Sequence, residues 1–138
     1  MAQVEVTQQY SQSPDSIWAK LGDPYDLKEL LGVETRREDD VRWITSADGS
    51  QMSERITAHD DAARTYSYEY LEGPLPVDHY VSTIRVDEDG DGSSVTWKAD
   101  FAARGGSAEL EQKLTGGIEK MYRGALAKLA QSEAPAAG

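Results

Sequence analysis

The sharpest chemical signal in this 138-residue sequence is a carboxylate placed where an apolar side chain belongs. Met52, Glu54 and Ile56 alternate with Ser53 and Arg55, the period-two pattern of a strand with one face toward the interior. The pattern therefore puts Glu54 on the apolar side. Burial disfavours the charged form and raises the pKa, the condition a general acid or base requires. The competing reading is a pair with an arginine or tyrosine that only orients the sheet. Tyr66, Tyr68 and Tyr70 repeat the spacing, so three phenols share a face. They suit stacking on a ring and hydrogen-bonding to a carbonyl, and equally an aromatic core with its hydroxyls at the rim. Trp43 and Trp97 fit a plain core or the wall of a site.

Other chemistries are poorly served. The sequence has no cysteine, which removes disulfides, thiolate catalysis and cysteine-held metals. His59 falls in a turn, and His79 alternates with Tyr80, so His79 faces outward if Tyr80 faces in. Neither has a second histidine at ligand spacing, and no metal or other cofactor is expected. No nucleophile elbow or Ser-His-Asp set is present. Asp87-Glu88-Asp89-Gly90-Asp91-Gly92 opens like a calcium loop, but Lys98 stands where the bidentate glutamate is needed and strands flank it; it reads as a hairpin turn. The net charge of −11 argues against nucleic acid and anionic membranes as partners, since both are held by clustered Lys and Arg. Arg36-Arg37 runs straight into Glu38-Asp39-Asp40, which cancels its field.

Elements must position these groups. Val4, Val6 and Tyr10 mark a half-buried first strand, and Ser13-Pro14-Asp15 is a helix start with a cap, a tolerated proline and an acid near the positive helix end. Ile17, Trp18 and Leu21 give one short helix. Asp23-Pro24 with Leu27, Leu30 and Leu31 gives a second, stopped by Gly32. From Val33 to Ala103 strand follows strand: Val41, Trp43 and Thr45 alternate, Asp48-Gly49 turns, and His59 to Ala63 turns again. Gly73-Pro74-Leu75-Pro76 must be a loop because two prolines cannot supply ladder donors. Past Gly105-Gly106 the period becomes helical, with Leu110, Leu114, Ile118, Met121, Tyr122, Ala125 and Leu129 on one stripe. Gly116-Gly117 inside that helix costs roughly 1 kcal/mol per glycine against alanine. Either room is left for a ligand or a bend, or the helix packs closely on a strand; in the first case Gly117, Met121 and Tyr122 are cavity walls. The expected architecture is α+β: about seven antiparallel strands curved around a long C-terminal helix, with two short helices after the first strand. Residues 1–131 form one domain and 132–138 a flexible tail. The opening Met-Ala-Gln-Val-Glu-Val lacks a basic region followed by an apolar stretch, so the expectation is a cytoplasmic protein.

Certain segments resemble a known family. They are Ser13-Pro14-Asp15-Ser16-Ile17-Trp18 with Leu21-Gly22-Asp23, Ser53-Glu54-Arg55-Ile56, the run from Tyr66 to Val77, Tyr80-Val81-Ser82-Thr83, and Gly92-Ser93-Ser94-Val95-Thr96-Trp97. Together with the terminal helix they resemble the START-like (SRPBCC) superfamily, whose helix-grip fold is shared by birch-pollen allergens and plant abscisic-acid receptors. Within it the sequence looks most like bacterial polyketide cyclase/dehydratase-type proteins. The receptors carry a Thr-Glu-Arg-Leu-like and an Asn-Tyr-Ser-Ser-like segment facing their ligand, so the resemblance implies that Glu54, Tyr80 and Ser82 point into a cavity. Trp97 stands where the receptors have an acidic pocket residue, and their pocket lysine has no counterpart, so abscisic acid is not implied.

Two functions follow as expectations. The first is binding of a small hydrophobic, ring-containing molecule, polyketide-, steroid- or lipid-like, by a monomer or weak dimer. Trp43, Met52, Glu54, Tyr66, Tyr68 and Tyr70 would line the site from the middle strands. Tyr80, Ser82, Trp97, Gly117, Met121 and Tyr122 would line it from the late strands and helix. The second is a cofactor-independent cyclase, aromatase or dehydratase. Such chemistry needs an oriented chain, one acid or base and a phenol, and Glu54 and Tyr80 are the candidate catalytic pair, with Tyr68 beside them.

Overall fold

The computed structural model describes residues 2–132. The expected tail lies outside the described residues, except that Ser132 closes the last helix. The elements are β1 (Ala2–Tyr10), α1 (Pro14–Leu21), α2 (Lys28–Leu31), β2 (Glu34–Glu38), β3 (Val41–Thr45), β4 (Gln51–Asp60), β5 (Thr65–Glu72), β6 (Val77–Asp89), β7 (Gly92–Ala103) and α3 (Ala108–Ser132). One antiparallel sheet of seven strands runs in the order β1-β7-β6-β5-β4-β3-β2. Only β1 leaves chain order, and it pairs with β7 from Ala2↔Phe101 to Tyr10↔Ser93.

Alternation decides the inner face. Val4, Val6 and Tyr10 of β1, Ile84 and Val86 of β6, and Val95, Trp97, Ala99 and Phe101 of β7 are buried. Three single-residue register shifts, at Thr57, Leu71 and Asp78, act as bulges that bend the strands and curl the sheet. The Asp-Gly-rich stretch is a hairpin turn, as expected: Asp89 pairs with Gly92, and Gly90 takes φ 57° between them. At the far end of that hairpin Gly92 leaves no room for a side chain, because a Cβ there would stand 2.1 Å from the Tyr10 carbonyl oxygen. His59, expected in a turn, lies near the end of β4, which runs two residues longer than its alternation suggested.

The helices close the concave side. Ser13 Oγ accepts the Ser16 N–H at 3.1 Å and Pro14 occupies the first turn of α1, while Gly32 in the left-handed region (φ 67°) ends α2. Ile17, Leu21, Leu27 and Leu30 are buried from these two helices. α3 lies across the concave face, its buried stripe comprising Ile118, Tyr122, Ala125, Leu126 and Leu129. The Tyr10 hydroxyl donates to the Leu126 carbonyl at 2.8 Å, which ties the C-terminal half of the helix to β1. No described helix is long and apolar enough to cross a membrane.

Candidate functional site

The sheet and the N-terminal half of α3 do not close on each other. Between them lies a cavity of about 420 Å³. Ile44, Met52, Tyr68, Tyr80 and Trp97 form its wall on the sheet side, and Leu114, Gly117 and Ile118 on the helix side. Leu31, Val33, Ser46, Pro74, Leu75, Lys113 and Met121 also line it, with Met121 47% exposed. A Cβ added at Gly117 or at Gly116 would meet nothing within 4 Å. Neither glycine is pressed against a strand.

The polar part of the lining centres on one ion pair. Arg42 and Glu54 are directly opposite in the β3–β4 register and are 2% and 6% exposed. Glu54 Oε1 accepts from Arg42 Nε at 3.0 Å and pairs with Nη2 at 2.9 Å. Arg42 Nη1 donates to the Pro24 carbonyl at 2.7 Å and to the Tyr66 hydroxyl at 3.3 Å, and the guanidinium sits 4.3 Å over the Tyr68 ring. Burial acts against the Arg42 charge, but Tyr66, Glu54 and Tyr68 more than offset it, so the guanidinium stays a cation. For Glu54 burial raises the pKa above the ordinary carboxylate range, with Arg42 opposing the shift by charge and hydrogen bond. Both Arg42 contacts fall on Oε1, on a side chain that lines the cavity.

A second polar cluster adjoins the first. The Tyr80 and Tyr122 hydroxyls are hydrogen-bonded, Tyr122 meets Ser82 Oγ at 3.0 Å, and Ser82 Oγ donates to the Lys98 carbonyl at 2.9 Å. Trp97 Nε1–H is shared between the Tyr68 hydroxyl at 3.1 Å and Ser82 Oγ at 3.0 Å. The Trp97 ring stacks on Tyr122 with centroids 3.9 Å apart. Burial raises the pKa of Tyr68, Tyr80 and Tyr122 far above the usual phenol value, which keeps all three hydroxyls neutral.

The cavity gathers Met52, Glu54, Tyr68, Tyr80, Trp97, Gly117 and Met121 from the residues singled out in the sequence. Tyr66 lies behind Arg42, while Ser82 and Tyr122 belong to the hydroxyl cluster behind the wall. Tyr70 packs beside Tyr80 and accepts the Leu75 N–H at 3.0 Å, holding the 73–76 loop. Trp43 is on the opposite face of β3, where Arg36 lies 5.4 Å from its ring centroid. The alternation of Val41, Trp43 and Thr45 is real, but that face is the outer one; Arg42 and Ile44 turn inward. His79 is exposed beside buried Tyr80, as the alternation required. Among the described residues no group of three or more His, Asp or Glu could hold a metal ion.

Arg42 is a cavity-lining residue that the sequence reading missed. Its signal was the turn at Asp48-Gly49: folding β3 on β4 about that turn places Arg42 across from Glu54. An inward carboxylate needs a partner, and the arginine facing it across the hairpin was the natural one.

Comparison with known proteins decides the family. Residues 1–132 match the family described as polyketide cyclase / dehydrase and lipid transport. The chain belongs to the polyketide cyclase/dehydrase family. No curated protein matches the sequence. Among solved structures, the protein XoxI from Bacillus cereus is 24% identical with a TM-score of 0.91, covering 100% of this chain and 99% of its own. A protein from Bacillus thuringiensis is 25% identical with a TM-score of 0.87 over 95% of this chain and 98% of its own. The Zhui aromatase/cyclase from a Streptomyces species is 20% identical with a TM-score of 0.78 over 99% and 98%. These likenesses establish the helix-grip fold. Membership of the polyketide cyclase/dehydrase family supports a ligand-binding or cyclase role in general terms.

Proposed function

We propose that this protein binds a small, largely apolar, ring-containing molecule of polyketide-, steroid- or lipid-like character in the cavity between the sheet and α3. The observation that carries the reading is the cavity itself. Its volume of about 420 Å³ falls in the range of small-molecule sites, and its wall is mostly aliphatic and aromatic. The few polar groups converge at Arg42, Glu54, Tyr68 and Tyr80 and would orient one polar end of the ligand. Native mass spectrometry after gentle purification is the direct test. A co-purified small molecule lost from a variant with the cavity filled, such as Gly117→Phe, is the expected result. A wild-type protein that carries nothing and takes up no aromatic ketone or sterol defeats the proposal.

One observation favours a second reading, a cofactor-independent cyclase, aromatase or dehydratase. Glu54 combines a raised pKa with a place in the cavity wall, beside two cavity-lining phenols. In that reading Glu54 moves a proton on a folded polyketone, while Tyr68, with Tyr80 beside it, hydrogen-bonds the reacting carbonyl. Turnover of a candidate polyketide by Glu54→Gln and wild type separates the readings. Unchanged turnover removes the acid/base role.

A further inference from the structure

We propose that Ser82, which does not line the cavity, fixes the direction of the buried hydroxyl chain so that Tyr68 offers a hydrogen-bond donor to the ligand, which must carry an acceptor oxygen such as a carbonyl at that end. The inference rests on reading the cavity as a ligand site. It follows from counting hydrogens, since each hydroxyl has only one to give. The Lys98 carbonyl can only accept, so the Ser82 hydrogen goes there. Ser82 Oγ is then an acceptor toward Tyr122, and the Tyr122 hydrogen is spent on it. Tyr122 must in turn accept from Tyr80, which spends the Tyr80 hydrogen. Trp97 Nε1–H, a donor only, points at both Ser82 and Tyr68 and makes each of them an acceptor at that contact.

Those bonds leave one hydroxyl hydrogen in the cluster, that of Tyr68, whose hydroxyl also neighbours those of Tyr80 and Tyr122. Tyr68 lines the cavity, and its oxygen accepts from Trp97 Nε1–H. With the cavity empty the hydrogen can turn toward the neighbouring Tyr80; with a ligand present it is available to an acceptor. Running the chain the other way would require Ser82 to turn its hydrogen away from the Lys98 carbonyl. Hydrogen bonds in such a chain polarise one another, so a direction set at Ser82 is felt at Tyr68. Ser82 is therefore a positioning residue acting through Tyr122 and Trp97.

Two probes test this in the full chain: a dimethylaminonaphthyl ketone, and dimethylaminonaphthalene lacking the carbonyl. Tyr68→Phe should weaken ketone binding about tenfold, the worth of one buried hydrogen bond, and leave the hydrocarbon unchanged. The carbonyl stretch of the bound ketone should rise in frequency as its donor is lost. Ser82→Ala should move both readouts in the same direction by a smaller amount, and Ser82→Thr, which keeps the hydroxyl, should restore them. Equal ketone binding and an unchanged carbonyl band in Tyr68→Phe would overturn the inference while leaving the cavity reading intact. Equal loss of both probes in Ser82→Ala, without recovery in Ser82→Thr, would reduce Ser82 to a packing role and overturn it too. Failure of both probes to enter the wild-type protein removes the cavity reading and this inference together.

Discussion

The two halves of α3 face different interiors. The C-terminal half buries Ala125, Leu126 and Leu129, packs on β1 and is pinned there by Tyr10. The N-terminal half presents Leu114, Gly117 and Met121 to open space over β3, β4 and β7. One helix thus anchors the fold at one end and walls a site at the other. The difference lies in side-chain volume: where leucine and tyrosine fill the stripe the sheet is touched, and where glycine interrupts it the sheet is not.

The largest expected effect comes from the anchored end. Leu126→Ala removes a side chain with no exposed surface and should cost about 2–5 kcal/mol in denaturant unfolding. Met121→Ala, five residues earlier on the same helix, should stay within about 0.5 kcal/mol, because Met121 is half in solvent. Similar losses at both positions would abolish the contrast between the halves.

Next in size is the ion pair below the site. Arg42→Met leaves Glu54 buried without its cation and also strands the Pro24 carbonyl and the Tyr66 hydroxyl. The cost at neutral pH should be about 3 kcal/mol. Part of it should return on acidification, because a carboxylate can escape by taking up a proton whereas an arginine cannot lose one. Urea unfolding at pH 7 and near pH 5 measures this, and a loss independent of pH would show that the packing of Arg42 matters more than its charge.

The same contrast explains what could be read in the sequence. At the anchored end each signal was local and periodic: the Val4, Val6, Tyr10 alternation, the Ser13 cap and the helical stripe each named their own element. The cavity end depends on which face of a short strand turns inward. In β3 one face carries Trp43 between Val41 and Thr45 and the other Arg42 and Ile44, and Trp43 outweighed Arg42 because hydrophobicity is the usual guide to burial. The inward arginine is intelligible only with the cross-strand register, which places it against Glu54. The hydroxyl cluster is harder still, since Tyr80, Ser82, Trp97 and Tyr122 come from three elements and their bonds exist only once the sheet curls under α3.

A smaller effect separates two adjacent glycines. Both Gly116 and Gly117 have helical neighbours and open space where a Cβ would stand, so alanine at either should stabilise by about 1 kcal/mol. Only Gly117 lines the cavity. Gly117→Ala should therefore weaken uptake of a bulky apolar probe while Gly116→Ala leaves it alone. Equal binding by the two variants would mean that the notch is not kept for the ligand.

The smallest effect is the most diagnostic of the site's electrostatics. Glu54→Gln is close in shape, and the amide oxygen can still accept from Arg42, whose charge keeps the Pro24 carbonyl and the Tyr68 ring as company. It should therefore cost less than Arg42→Met. Its pH dependence carries the information. Because the native pKa of Glu54 is raised, the folded protein holds a proton that the unfolded chain has lost between the ordinary glutamate value of 4.5 and the native value. Wild-type stability from this group is thus fully present at low pH and falls as pH rises through that window, levelling off above it. The glutamine variant has no such proton, so it should gain on the wild type across the window in urea unfolding measured from pH 4 to pH 8. A wild type that gains on the variant instead would mean that Arg42 outweighs burial and holds the carboxylate ionised. Glu54 would then be a fixed anion that orients the ligand, with no proton to give.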